Sequence, residues 1–481
     1  MSDSQIETDY LIVGAGAAGL AFVDALIAEA DVDVVMVDRR HRPGGHWNDA
    51  YPFVRLHQTS ANYGVNSRVL GSDSIDATGP NAGFYERATG LEICEYFHKV
   101  MDEELLPSGK VRFFGGCDYL GDDSGEHAFT SRLSGQTTTV KVRRKVVDTT
   151  YLNVTVPATH TPGFTVDPDA RLVPVGDLVA VGEPPTGYTV LGAGKTGMDA
   201  CNWLLDNGVD PDRIRWVKPR DSWLMDRARL QPLDLVVQTI EGFSFNLEAL
   251  AQAESVEDLF RRLEDCGQVV RIDPDVEPTM YRGAIISQAE RESLRQIERV
   301  VRMGRVVHLG SDEIVLEDGT VPTDRGEVHV DCTASGFSTV PARPIFEPGK
   351  ITLQSLMGAF TTFNAALVGF VESAWDDDEK KNQLCPPVPQ PSAAVDWIPV
   401  MRGALQSLVA QSTEPELMAW SERSRLNLTR GMADHFEEPR MQAAMGRWGE
   451  NMEGALTNAE RLLAESASQN GQAPAAKVAA S

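Results

Sequence analysis

Near residue 10 the apolar and polar positions fall into a recognisable order. Asp9–Val13 closes a short apolar run, the pattern of a strand buried on both faces. Gly14-Ala-Gly-Ala-Ala-Gly19 follows as a turn, then an alanine-rich stretch of helical character to about Ala30. Val32–Val37 is a second apolar run, ending at Asp38. This order predicts a βαβ unit. The pattern restarts with Tyr188–Leu191 as strand, Gly192-Ala-Gly-Lys-Thr-Gly197 as turn, Met198–Asn207 as helix and Arg213–Val217 as strand. Gly192 stands 178 positions after Gly14, and no other internal repeat is visible.

Between the two units, 86–105 reads as helix and 110–160 as short strands with turn signals at 122–125 and 134–136. From 228 to 304 the pattern is helical. Ser287-Gln-Ala-Glu290 forms a capping box, Leu294, Ile297 and Val301 share one face, and Gly304 is a C-terminal stop. A strand pair around Glu317-Asp-Gly-Thr320 leads into Val328–Ala334, and helix resumes from 395 to about Glu465. The expected fold is α/β, with two Rossmann-like three-layer dinucleotide-binding domains and a helical C-terminal extension. The first domain is discontinuous, 1–175 and 325–395. The second covers 176–324 with a helical insertion at 228–304. Residues 396–466 form the C-terminal helices, and the Ala/Ser/Gln/Gly-rich 467–481 a disordered tail.

Composition narrows the partners. A length of 481 residues allows two or three domains with a sizeable core. The net charge of −26 argues against nucleic acid or an anionic membrane surface. The run Tyr10–Ala28 is neither leader nor membrane span, because Asp24 and three glycines break it and no basic segment precedes it. The six cysteines, 94, 117, 201, 266, 332 and 385, form no CxxC, so a reduced cytoplasmic protein without disulfides or a metal site is expected.

A pyrophosphate needs backbone N–H donors at close range, and a glycine-rich turn opening a helix supplies them. Gly14 makes the turn, Gly16 with Ala18 leaves room for the phosphates, and Gly19 lets helix approach strand. Asp38, 24 residues after Gly14, is placed to accept from ribose hydroxyls, with Arg39 beside it. Gly192, Gly194 and Gly197 repeat the spacing with Lys195 and Thr196 between them. The same offset from Gly192 reaches Trp216, and Lys218 and Arg220 follow where an acid would stand. A basic pair there suits a 2′-phosphate, hence NADPH; its plainer reading is a solvated surface pair. A Walker loop is excluded, because position 189 is Thr where that motif needs Gly.

The chain resembles the two-dinucleotide flavoprotein monooxygenases, a group with flavin-containing, Baeyer–Villiger and N-hydroxylating branches. Arg42-Pro-Gly-Gly-His-Trp47, Tyr51-Pro52 and Arg55-Leu-His-Gln-Thr59 are similar to the stretch that lies along the flavin in that group. Asp331-Cys-Thr-Ala-Ser-Gly-Phe337 is similar to the family's return to the FAD domain. The resemblance covers roughly 8–220 and 300–372. It departs from the family in lacking a His between 161 and 187, where an FxGxxxHxxx(Y/F) fingerprint belongs, and a Gly in Val147-Asp-Thr-Thr150. It implies FAD in the first cradle and NADPH in the second, O2 and a small organic substrate as partners, and a homodimer at family level. It also implies insertion of one oxygen atom through a flavin C4a-(hydro)peroxide; the alternative is an NADPH-dependent flavin oxidase or reductase without oxygen insertion. Gly45, His46, Trp47, Gln58 and Thr59 would lie along the flavin, with His57 and Arg55 as catalytic candidates; a structural, hydrogen-bonded His57 and an ion-paired Arg55 are the competing readings. Trp223 and Arg227 are candidates to frame the nicotinamide cleft, and Phe360 and Phe363 line either a substrate pocket or plain core. No cysteine precedes Cys94, so a dithiol relay beside the flavin is not expected.

Overall fold

The computed structural model describes residues 4–121, 125–358 and 360–469. Strand β1 (Ser4–Val13) and β2 (Val34–Asp38) pair in parallel, with α1 (Ala17–Glu29) as the crossover. Thr89 and Glu92 form a capping box that starts α2 (Gly90–Lys99), which runs on as a π turn over Val100–Leu105. β3 (Val111–Gly115) adds to β2, β4 (Cys117–Tyr119) and β5 (His127–Ser131) make an antiparallel excursion, and β6 (Thr137–Asp148) lies parallel to β1. Most of the turn expected at 122–125 lies outside the described residues.

The second unit opens with β7 (Thr165–Val166) and β8 (Leu172–Pro174). β9 (Tyr188–Leu191), α3 (Lys195–Asp206) and β10 (Ile214–Val217) repeat the βαβ unit. β11 (Ser222–Asp226), α4 (Val236–Gln252), α5 (Val256–Asp265), β12 (Val269–Val270), β13 (Met280–Ile286), α6 (Gln288–Leu294) and β14 (Val300–Val301) follow. A hairpin region, β15 (Val306–Leu309), β16 (Glu313–Leu316) and β17 (Gly319–Pro322), precedes β18 (Val328–Asp331). The parallel sheet of this unit runs β14-β10-β9-β18-β8.

The chain then returns to the first sheet with β19 (Phe346–Glu347) and β20 (Lys350–Thr352), giving the order β19-β20-β6-β1-β2-β3. α7 (Thr361–Ala374) packs on α1, and α8 (Asp378–Leu384) follows. α9 (Trp397–Ser412), α10 (Pro415–Arg423) and α11 (Pro439–Gln469) complete the described chain; the rest of the tail lies outside it.

Three expectations need correction. The stretch 228–304 is not wholly helical, because β12 and β13 flank β11 in a three-stranded sheet. The capping box does start α6, but that helix ends at Leu294. Val300–Val301 extends as a strand beside Trp216–Val217, where backbone pairing on the open edge of β10 wins over a helical continuation. The strand Val328–Asp331 pairs with β9 and β8 in the second sheet, so the chain rejoins the first sheet only near Phe346 and not at 325. No described helix is long and apolar enough to cross a membrane.

Candidate active site

The two glycine turns are built alike. α2, α5, α6 and α8 begin with side-chain caps from Thr89, Ser255, Ser287 and Asp377. α1 and α3 begin at Gly16 and Gly194 with no side-chain cap, as do α4, α7, α9 and α10 at their own first residues, but only α1 and α3 follow a parallel strand through a glycine turn. In α1 and α3 the first turn faces that glycine loop. Their first N–H groups are left for an external acceptor, the arrangement that suits a phosphate. Gly14 and Gly192 have φ of 104° and 126°, open to glycine alone without strain. A Cβ on Gly14 would lie 2.4 Å from Thr149 Oγ1, and one on Gly192 2.4 Å from the Cys332 carbonyl oxygen. Thr149 and Cys332 are each the first residue beyond the parallel strand next to the cradle, β6 and β18.

The first cradle is closed by the Gly44-Gly45 loop. Gly44 N–H donates to the Ala15 carbonyl at 2.8 Å, and a Cβ on Gly45 would come within 2.9 Å of Gly16 Cα. Asp38 is buried; one carboxylate oxygen accepts from Ala15 N–H and the other from Arg40 N–H, each at 2.7 Å. It thus holds the loop in place. Trp47 Nε1 donates to Tyr63 Oη at 2.8 Å, its ring stacks on His46 at 5.4 Å, and it packs against the cores of both units. Thr352 Oγ1 at the end of β20, Thr362 Oγ1 and Asn364 Oδ1 on α7, which packs on α1, and Asn62 Nδ2 in the turn after Thr59 are buried without protein partners. Orphaned polar atoms beside an uncapped helix fit a large polar cofactor such as FAD.

A charged seam joins the cradles. Glu290 receives Arg87 Nη1 at 2.9 Å from the first unit and Arg227 Nη2 at 2.7 Å from the second. All three side chains are at most 9% exposed. Burial alone would raise the Glu290 carboxyl, but Lys195, Arg227 and Arg87 outweigh it and hold its pKa far below the usual range. Lys195, at the start of α3, is ion-paired with Asp199, whose other oxygen accepts from Tyr51 Oη at 2.7 Å. Phe53 stacks on Trp203 at 4.9 Å, Ser287 Oγ donates to the Pro80 carbonyl at 2.8 Å, and Gln231 Oε1 accepts from Tyr85 N–H at 3.0 Å.

Residues 12–70 match the model of the NAD(P)-binding Rossmann-like domain. The uncharacterized protein Rv2000 of Mycobacterium tuberculosis is 46% identical over 424 residues, 88% of this chain and 78% of that protein. The uncharacterized protein Mb2023 of Mycobacterium bovis matches to the same extent. The chain belongs to the family of these mycobacterial proteins. Among solved structures, this family member is similar to the polycyclic ketone monooxygenase of the fungus Thermothelomyces thermophila, at 14% identity and a TM-score of 0.49 over 95% of this chain and 90% of that one.

In this member of the mycobacterial family, the residues expected along the flavin divide. Gly45, His46 and Trp47 flank the first cradle, and Ala18 packs beside it on α1. Gln58 and Thr59 are buried and turn inward to Asn62, through Nε2 to the Asn62 carbonyl at 3.3 Å and Oγ1 to Oδ1 at 2.6 Å. Arg55 is exposed and donates to the Arg87 carbonyl at 3.0 Å, so it braces the loop outside the seam. His57 lies in the seam, where burial, then Lys195, push its pKa down to about 3, leaving it neutral near pH 7. Lys218 departs most from expectation: it is buried, ion-paired with Asp221 and set 4.6 Å from the Trp216 ring centroid, which leaves no free cation for a phosphate. Arg220 is exposed, as is Arg39, while Thr196 is half-buried on α3. Phe363 is core, stacked on Trp420 at 6.0 Å, whereas Phe360 is only half-buried. Arg87 and Asp199 were not singled out from sequence as site residues, and Tyr51 was named only within the stretch that resembles the flavin side, without a role. Glu290 was visible only as a capping-box acid, and no local pattern marks it as the partner of two arginines.

Proposed function

We propose that this chain is an FAD-dependent, NADPH-consuming monooxygenase that inserts one oxygen atom into a small organic substrate. The observation that carries this reading is the pair of equally built glycine cradles opening toward one seam, in a chain whose sequence holds no CxxC to take electrons. When bound, the flavin would supply hydride acceptance and O2 activation. Gly14, Gly16, Gly19, Asp38 and Gly45 would hold FAD; Gly192, Gly194 and Gly197 would hold NADPH.

The chain's own residues bind, orient and exclude water. Arg87, Arg227 and Glu290 hold the second unit against the first. Trp47, Tyr51, Phe53 and Trp203 seal the seam with apolar surface. His57, neutral near pH 7, offers a hydrogen-bond donor and an acceptor without carrying charge. For the 2′-phosphate, Arg220 has help other than Lys218. Burial, then the charges of Arg220 and Arg305, lower the pKa of Arg282, so these three cations lie within electrostatic reach of one another.

The purified chain should be yellow, with absorbance near ~450 nm. With a suitable substrate, each NADPH consumed should give one water and one product molecule labelled once from 18O2. Arg220→Ala should raise the NADPH KM and leave the NADH KM nearly unchanged. NADPH oxidation that yields only H2O2 across a broad substrate panel would replace this reading with an oxidase, and a colourless protein that refuses FAD would end it.

A further inference from the structure

Tyr51 belongs to the first unit by sequence and to the second by packing. With Val54 it is buried in the core of Val190, Met198, Cys201 and Trp216, and Phe53 beside it stacks on Trp203 of α3. Its hydroxyl donates to Asp199 Oδ2 at 2.7 Å. The other oxygen of that carboxylate, Oδ1, holds Lys195, which stands one turn earlier and is the first residue of α3. Asp199 is therefore shared between the neighbouring unit and the cradle. The Lys195 and Asp199 side chains are only 7% and 14% exposed, so water and salt screen the pair little. Glu290 offers Lys195 no free oxygen, because Arg87 takes one and Arg227 the other. His57, which feels both Lys195 and Asp199, is neutral near pH 7 and cannot replace the lysine as a cation. Above the pair the second cradle is open. A Cβ on Gly194 would meet nothing within 4 Å, whereas one on Gly16 of the first cradle would meet Gly45 Cα at 3.5 Å.

We propose that Asp199 is a positioning residue that parks the Lys195 ammonium while the second cradle is empty and yields it to the pyrophosphate of an entering dinucleotide, with Tyr51 of the first unit holding the carboxylate once the lysine has left. The proposal rests on the reading of the second cradle as a dinucleotide site and deepens it, because it makes docking of the first unit set how tightly the nucleotide is held. A buried ammonium needs an anion beside it. Asp199 and a pyrophosphate are alternative anions for the same ammonium, so whatever strengthens one pairing weakens the other. Tyr51 sets the balance. Its hydroxyl makes a charge-assisted hydrogen bond to the carboxylate whichever way Lys195 turns. With that bond in place Asp199 keeps a partner when the lysine departs. Without it, departure would strip the carboxylate of both, and Lys195 would be held back. Nothing in this exchange involves the 2′-phosphate, so NADP+ and NAD+ should feel it alike.

The test is calorimetric titration of the full chain with NADP+ and with NAD+. Asp199→Asn removes the competitor and should tighten both nucleotides by about tenfold. Its melting temperature should lie below wild type without nucleotide and rise further than wild type when NADP+ is added. Lys195→Met should weaken both nucleotides by about tenfold. Tyr51→Phe keeps the ring in its core and should weaken both by about three- to tenfold, yet have no effect once Asp199 is replaced by Asn. Asp199→Asn binding no tighter than wild type, or a Tyr51→Phe loss that persists in the Asp199→Asn chain, overturns the proposal, since a purely structural role gives those results. Should Asp199→Asn not fold, Lys195→Met takes its place as the background: the Tyr51 hydroxyl should matter only while the lysine is there to be exchanged, and a Tyr51→Phe loss that survives without Lys195 overturns the proposal. A wild-type chain that binds neither nucleotide ends the dinucleotide reading and this proposal with it, whereas tight binding with the wrong signs in these variants ends the proposal alone.

Discussion

Gly19 and Gly197 leave no room for a methyl group. A Cβ would lie 2.3 Å from the Gly14 carbonyl oxygen at the first and 2.2 Å from the Gly192 carbonyl oxygen at the second. Backbone on both sides cannot yield, so overpacking costs about 1–3 kcal/mol at each turn. We predict that Gly19→Ala raises the FAD Kd by roughly ten- to hundredfold and gives pale protein. Gly197→Ala should give yellow protein whose flavin is reduced by NADPH only at much higher concentration. Equal loss of FAD in both variants would contradict separate cradles. These glycines were legible in the sequence because the turn demands them sterically, whatever surrounds it. Lys218 was not legible in the same sense. Its offset from Gly192 fixes where it stands along the strand, but burial over Trp216 and the i+3 partner Asp221 decide what its charge does. Arg282 and Arg305, which lie far from Arg220 in sequence, come within electrostatic reach of it only through the fold of β13 and the turn before β15.

At the scale of elements, α6 is the joint between the units. Its N-terminal capping box places Glu290 to receive Arg87 and Arg227, so a local signal that was readable serves a long-range purpose that was not. Removing the carboxylate leaves two buried guanidinium groups facing one another. Glu290→Gln is predicted to lower stability at pH 7 by about 3–5 kcal/mol, measured by urea unfolding followed through tryptophan fluorescence. Acid should act first through His57, with His46 and His329, whose pKa values burial also lowers, adding to the same fall, and then through Glu290. His57 stays neutral in the folded chain down to about 3, while the unfolded chain takes up a proton below the ordinary 6.5. Stability therefore falls as pH drops below 6.5, by up to about 1.4 kcal/mol per pH unit from this group. Glu290 adds its loss only below the ordinary carboxyl value of 4.5, because its folded pKa is held lower. His57→Gln should lessen the first fall and Glu290→Gln the second. If the His57→Gln variant lost stability as steeply as wild type between pH 6.5 and 4.5, His57 would be removed from the seam.

The two stretches with no recognisable resemblance, 228–300 and the described part of the other, 395–469, prove to be one structure. α4 and α5 of the insertion pack with α9 and α11, and Leu250, Phe260, Trp397, Ile398 and Leu462 share a core under the sheet β12-β11-β13. Sequence periodicity marked both stretches as helical but neither divided them into these helices nor paired them, since nothing local says that residues some 200 positions apart face each other. The helical unit also reaches the first cradle. Arg425, buried beyond α10, donates to the carbonyls of Tyr63 and Val65 at 2.8 and 2.9 Å and to those of Ser60 and Ala61 at 3.3 and 3.1 Å. It thereby braces the stretch that follows Gln58 and Thr59. If the C-terminal helices were an appended module, loosening them would give a separate melting transition and leave the flavin where it was. The shared core predicts otherwise. Leu462→Ala and Leu250→Ala should each cost about 2–5 kcal/mol and should combine non-additively, because both empty the same cluster. Each should release FAD in the same cooperative step in which the helices melt, read by flavin fluorescence and circular dichroism on one sample. Flavin retained above the helical transition in Leu462→Ala would mean that Arg425 fastens nothing, and that the cradle stands without the helices that lean on it.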